Sequence, residues 1–237
     1  LLERLRDVYK FEVSTRPPRI AYRETITANA EGHHRHKKQS GGAGQFGEVF
    51  LRIEPLPRGG GFEFVDQVKG GTIPGQYIPA VEKGVREAMT NGVIAGYTLV
   101  DVRVIVYDGK HHSVDSKDIA FATAGKKAFM EAVKAARPIV LEPVANVEIT
   151  APDAAMGDIA GDLSSRRGQV SGTHNSASGT VTIRGQAPLA ELAGYQSRLN
   201  AMTAGQGRYS LALSHYDPVP PTVQAQLTSQ FKVKDEE

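Results

Sequence analysis

VANVEIT (Val144–Thr150), DAAMGDIAGDLSS (Asp153–Ser165), QVSGTH (Gln169–His174), GTVTIRGQA (Gly179–Ala187), LAELAGYQSRLNAMT (Leu189–Thr203) and RYSLALS (Arg208–Ser214) follow one another in the second half of a 237-residue chain. The first, third, fourth and sixth runs alternate or carry β-branched residues and predict strands. In the second, Met156, Ile159, Ala160 and Leu163 share one helical face, and Leu189–Thr203 also predicts a helix. Asn175–Ser178 is the turn between the middle strands. The order β-α-β-β-α-β is that of a split βαβ unit, an antiparallel sheet with both helices on one face.

Upstream the chain alternates differently. Leu1–Tyr9 places apolar residues at helical spacing, too short to be stable alone, and reads as the end of a preceding domain. The chain does not begin with Met, and so reads as part of a longer protein. Arg16-Pro17-Pro18-Arg19 is a stiff linker. Ile20–Ala30 predicts a strand, Glu48–Pro55 a second with Val49, Leu51 and Ile53 on one face, and Phe62–Val68 a third after a Gly59–Gly61 turn. Pro79–Asn91 predicts a helix with Val81, Val85, Ala88 and Met89 on one stripe, interrupted by Gly84. Leu99–Tyr107 predicts a strand closed by an Asp108-Gly109 turn, and Asp115 the N-cap of a helix running to about Ala136. Thr222–Lys232 predicts a last short helix.

Between the first two strands lies HHRHKKQSGGAGQFG (His33–Gly47), basic and then glycine-rich, without a carboxylate. It reads as a solvent-projecting loop suited to a polyanion: Lys and Arg supply charge, and backbone N–H groups freed by glycine bind phosphate oxygens. The formal net charge is only +2, so nucleic-acid binding must rest on such local patches. There is no Cys, which excludes disulfides and Cys-ligated zinc and fits a cytoplasmic location. No apolar run approaches the ~18–20 residues of a membrane helix, so no membrane is expected.

Other readings of these residues are weaker. His33, His34 and His36 lack the fixed geometry of a metal site, and no metal is expected. Gly42–Val49 matches G-x-G-x-x-G-x-V, but a strand rather than a helix follows, and neither H-R-D nor D-F-G comes later. His112 with Asp115 or Asp108 has no accompanying nucleophile motif for hydrolysis. Arg166 and Arg167, at a predicted helix C-terminus, suit either the helix dipole or an RNA phosphate.

In order and spacing, several pieces resemble the C-terminal part of bacterial elongation factor G, a translational GTPase. They are Ala21–Ile26 (AYRETI), Lys38–Gly47 (KQSGGAGQFG), Asp108–Ser116, Met156-Gly157-Asp158, Gly161-Asp162-Leu163, Arg166–Gln169 (RRGQ), Pro188–Glu191 (PLAE) and Gly194-Tyr195. The resemblance implies an α+β chain. Residues 1–15 would end domain III. Residues 16–137 with 216–237 would form domain IV, a ribosomal-protein-S5-like arm with a left-handed βαβ crossover. Residues 138–215 would form domain V, ferredoxin-like, in agreement with the order read above.

It further implies that the arm enters the decoding site of the small ribosomal subunit and contacts the tRNA–mRNA duplex through a tip. That tip would comprise Lys38, Gln39, Ser40, Gly41, Gly42, Gly44, Gln45, Gly47, Lys110, His111, His112 and Asp115, with His112 at the family's tip-histidine position. Arg166 and Arg167 would contact rRNA, and domain V would approach the sarcin–ricin region of the large subunit. A monomer is expected. No cofactor is expected here, because no G-x-x-x-x-G-K-[ST] loop is present; GTP and Mg would belong to the G domain of the longer parent, so this chain is not expected to be an enzyme. Ala43 stands where the family usually has Arg, and Lys110-His111 where a small polar residue and an aromatic usually precede the histidine. These departures keep open a divergent paralogue, of the tetracycline-protection type for instance, or a free-standing RNA-binding module.

Overall fold

The computed structural model describes residues 8–9, 19–39 and 44–231. The expected Leu1–Tyr9 helix lies almost wholly outside them, as does most of the Arg16–Arg19 linker. By its contacts the chain divides into two bodies. One contains Tyr22–Glu142 together with residues 216–231, and the other contains Pro143–His215.

The first body is built on strands β1 (Arg23–Thr25), β2 (Ala30–Lys38), β3 (Gln45–Pro55), β4 (Phe62–Asp66) and β5 (Val102–Lys110), with helices α1 (Ile78–Asn91) and α2 (Asp118–Ala135). Four strands form a sheet in the order β2-β3-β5-β4, in which β4 and β5 are parallel and the other pairs antiparallel. The β4–α1–β5 connection is therefore a βαβ unit. Val49, Leu51 and Ile53 of β3 and Val104 and Val106 of β5 pack with Val81, Val85, Ala88 and Met89 of α1 and Phe121, Ala128 and Phe129 of α2. The apolar stripe expected on α1 is thus buried as read. Gly84, which weakens a helix by propensity, has a packing reason: a Cβ there would collide with the Ala122 carbonyl of α2.

Three sequence expectations are corrected in this body. Ile20–Ala30 is not one strand; only Arg23–Thr25 pairs, and Ala30 already opens β2. The Asp108-Gly109 turn is strand. Phe50 faces Asp108 while Leu51 faces Val106, so Tyr107 is the extra residue of a β-bulge. Gly109 serves the close approach of β3, since a Cβ would strike the Glu48 carbonyl. Asp115 does not cap α2, which starts at Asp118 after the extended Lys117, without a side-chain cap.

Strand β1 is held by its own Glu24, fully buried. The glycine-flanked segment after α1 turns four backbone N–H groups toward this carboxylate. Val93 and Ile94 donate to Oε2 at 2.7 and 3.0 Å, and Ala95 and Tyr97 to Oε1 at 2.8 and 3.1 Å. Such convergent amides form a preorganised anion site, here filled from within. The strand β6 (Ile139–Pro152) begins in this body, where Ile139, Val140 and Leu141 pair with β1. The C-terminal helix α5 (Pro221–Gln230) returns to the same place: Gln224 Oε1 accepts from Val140 N–H, and Val223 and Leu227 pack on Ala95, Val140 and Val219.

In the second body, β6 continues into α3 (Met156–Ser165), β7 (Gln169–Asn175), β8 (Thr180–Pro188), α4 (Tyr195–Thr203) and β9 (Arg208–Pro218). The expected βαββαβ order is present, with strand order β9-β6-β8-β7. Val147 and Ile149 of β6 and Val181 and Ile183 of β8 face Ile159 and Leu163 of α3 and Tyr195 and Leu199 of α4. Met156, expected on the buried face, is exposed, because α3 begins at that residue after a 3₁₀ turn. The predicted Leu189–Thr203 helix is split: residues 189–192 form a 3₁₀ turn, and Gly194, at φ 68°, resets the backbone before α4. Among the described residues no helix is long and apolar enough to cross a membrane.

Candidate nucleic-acid interface

The basic stretch is mostly strand, not loop. Residues His33 to Lys38 pair antiparallel with Phe50 to Gln45, one for one, and only residues 39–44 connect β2 to β3. Pairing was hidden in the sequence because its apolar partners all lie on β3. The alternation sends the charges to different fates. On one face His33 Nε2 lies 2.8 Å from Glu48 Oε1, Arg35 Nη2 lies 3.1 Å from Oε2, and the His33 ring stacks on Phe50 at 4.0 Å. Burial drives the Glu48 carboxyl upward, but the His33 and Arg35 hydrogen bonds outweigh it and hold the group below the usual carboxylate range. On the other face His34 is pushed below the ordinary imidazole value by burial first, then by Lys127 of α2, His36 and His33, against Glu131. His36 Nε2 meets Gln45 Oε1 at 3.1 Å. Arg35 is exposed but paired with Glu48, and Lys37 and Lys38 are the exposed cations nearest the hairpin end.

The second expected loop, after Lys110, is locked against this end. Phe46 N–H donates to the Asp115 carbonyl at 2.9 Å. Ser116 Oγ accepts from His112 N–H at 2.8 Å and donates to the Phe46 carbonyl at 3.1 Å. Tyr77, stacked on Phe121, donates to the Ser116 carbonyl at 3.1 Å. The Ser116 hydroxyl is committed to holding the two loops together.

The result is a small open cleft of about 180 Å³ lined by Lys37, Lys38, Gln39, Gly44, Gln45, Phe46, His112 and Asp115. Six sequence-predicted residues meet there: Lys38, Gln39, Gly44, Gln45, His112 and Asp115. Gly44 lets the Asp115 carboxyl come close, since a Cβ would lie 2.7 Å from it. Three predicted residues do other things. Gly47 seats the start of α2, with a Cβ position 3.1 Å from the Ala120–Phe121 peptide. Lys110 is opposite Glu48 in the ladder. His111 turns away, its Nδ1–H donating to the Thr72 carbonyl at 3.2 Å. Ser40, Gly41 and Gly42 lie outside the described residues. Sequence reasoning missed Lys37 and Phe46 as lining residues and Ser116 and Tyr77 as anchors. Phe46 and Ser116 stood inside the quoted motifs, whereas Tyr77 gave no local signal.

Two ammonium groups, two amides and an imidazole beside Phe46, with the single carboxylate of Asp115, suit a polyanion that also offers sugar and base edges. Among the described residues no group of three or more His, Asp or Glu side chains is arranged to hold a metal ion. In the second body, Arg166 is turned inward. Its Nε donates to Asp162 Oδ2 at 2.8 Å and its Nη1 to the Glu191 carbonyl at 2.6 Å, and the guanidinium lies over the Tyr195 ring at 5.3 Å. Arg167 donates to Glu191 Oε1 at 2.9 Å.

A family model described as elongation factor G, domain IV, matches residues 18–137, and one described as elongation factor G C-terminus matches residues 139–227. An elongation factor G-like protein of Thermotoga maritima is 46% identical over 97% of this chain and 34% of its own length. An elongation factor G of Aquifex pyrophilus is 50% identical over 93% of this chain and 31% of its own. A crystal structure from Thermus thermophilus superposes with a TM-score of 0.84 at 39% identity, covering 97% of this chain and 34% of that one. The chain thus spans about a third of the length of these relatives.

Proposed function

As the chain belongs to the elongation factor G family, we propose that it is the ribosome-engaging C-terminal part of a translocating factor of that type. In this reading Tyr22–Glu142 is the arm, and its cleft end enters the decoding site of the small subunit against the tRNA–mRNA duplex. The observation that carries it is the joining of the two loops through Phe46, Asp115 and Ser116, which puts Lys37, Lys38 and His112 around one cleft. Lysines at such an end neutralise phosphates, and a glycine-containing connection allows close approach to a shallow RNA minor groove. The arm acts sterically, occupying the vacated codon site so that the duplex does not slip back. The other body faces the large subunit near the sarcin–ricin region. Its Arg166 braces α3 and α4, leaving Arg167 nearer the surface. We assign GTP and Mg binding to another domain of a full-length, monomeric, cytoplasmic factor, and no catalytic residue to this chain.

A second reading is a ribosome-acting paralogue that does not translocate. It is favoured by the Thermotoga relative, which is named elongation factor G-like, and by Ala43 in place of the family's tip Arg. One experiment separates the two: ribosome-dependent GTP hydrolysis and translocation by the full-length factor, with wild type, His112→Ala and deletion of residues 40–43. The translocase reading expects translocation to collapse in both variants while hydrolysis persists. A wild-type factor that hydrolyses GTP on ribosomes and never translocates selects the paralogue.

A further inference from the structure

His112 carries two jobs on one ring. Its Nδ1 lies 3.3 Å from the N–H of Val114 and 3.2 Å from the N–H of Asp115, both of which donate to it. The Asp115 carboxylate is farther, with Oδ2 at 3.5 Å. A nitrogen that accepts two backbone N–H groups has no room for its own proton, and a neutral imidazole then carries its hydrogen on Nε2. Lys37, Lys38 and Asp115 line the same cleft. Phe46, 6.2 Å away between centroids, limits the ring on its apolar side.

We propose that His112 is held as the Nε2–H tautomer, its Nδ1 used as the acceptor that closes the 112–116 turn. The ring then meets its partner through the Nε2–H as a hydrogen-bond donor. The atom it recognises is accordingly an acceptor, a phosphate or ribose oxygen of RNA, which rests on the functional reading above. The same acceptor role shapes the tip, because Val114, 78% exposed, is displayed at the apex of the turn that Nδ1 closes. His112 is therefore a positioning residue for its own loop as well as a contact.

The two roles separate by substitution. In His112→Asn the side-chain oxygen falls near the Nδ1 position and the outward N–H is lost. In His112→Gln the amide nitrogen reaches the Nε2 position and the inward acceptor is lost. The first measurement is the ¹⁵N spectrum of the histidine-labelled chain at mildly alkaline pH, with His112→Ala for assignment. Nδ1 is expected in the unprotonated range and Nε2 in the proton-bearing range; a proton on Nδ1 overturns the proposal. Amide exchange follows: Val114 and Asp115 stay protected in His112→Asn and exchange at least about tenfold faster in His112→Gln and His112→Ala. If His112→Asn exchanges like His112→Ala, the inward role is refuted. In the full-length factor His112→Asn slows translocation about tenfold, the loss of one hydrogen bond. Wild-type translocation by His112→Asn, with the tip deletion still inactive, overturns the outward role while the arm reading stands. If no tip change affects translocation while the spectrum is as expected, the arm reading fails and the tautomer assignment stands.

Discussion

Glu24→Gln tests the anion site that fastens β1 in the arm. The carboxylate is fully buried and accepts four backbone N–H groups at 2.7–3.1 Å. Each charge-assisted bond is worth about 1.5–3 kcal/mol, and bonds to one group do not add. Glutamine keeps one acceptor oxygen and turns an NH₂ toward the other two N–H donors, so two bonds are lost and two buried donors are orphaned. The expected cost is about 3–5 kcal/mol, a large part of the ~5–15 kcal/mol that holds a typical domain. Urea unfolding should be followed by resolved NMR signals from each body, since a two-body chain need not unfold in one step. The midpoint of Tyr22–Glu142 falls, that of Pro143–His215 does not, and the amides of Val93, Ala95 and Tyr97 exchange faster. Glu82→Gln, at a surface pair with Arg86, is the control and changes stability by less than about 1 kcal/mol. A Glu24→Gln loss no larger than the control's refutes the reasoning.

Gly84→Ala, favourable by helix propensity alone, is expected to destabilise the arm by about 1–3 kcal/mol, because the new methyl meets the Ala122 carbonyl; a gain in thermal midpoint contradicts that packing. Burial raises the Asp162 carboxyl, but hydrogen bonds from Arg166 and Arg198 outweigh it and leave it below its ordinary 3.8. A carboxyl depressed in the folded state stabilises above its unfolded value and stops doing so as pH falls through the folded one. The second body therefore loses stability below about pH 4, and Asp162→Asn flattens that acid limb; an unchanged limb in the variant removes Asp162 as its source.

What could be read in advance followed from local physics. The βαββαβ order was legible because Val147, Ile149, Val181 and Ile183 alternate and Ile159 and Leu163 repeat at helical spacing, so each segment declares its own period. The cleft was half legible: Lys38, Gln39, Gly44, Gln45, His112 and Asp115 stood in two quoted motifs. The His33–Lys38 strand was not, since a run of six basic residues has no apolar face of its own and becomes β only when β3 supplies Phe50 and the buried Glu48. Asp108-Gly109 looked like a turn because those residue types usually are one; the bulge at Tyr107 and the approach of the Glu48 carbonyl required the neighbouring strand.

By itself, then, the amino-acid order determined the segments, their periods and the family likeness, all properties carried by residues within a few positions of one another. Tertiary structure alone decided which charges face outward, which glycines serve packing and how the two loops of the cleft are locked together. Most of those depend on partners 15 to 70 positions away, as in His33 with Glu48, Ser116 with Phe46 and Glu24 with the segment after α1, and burial, desolvation and hydrogen-bond direction exist only once such partners have met.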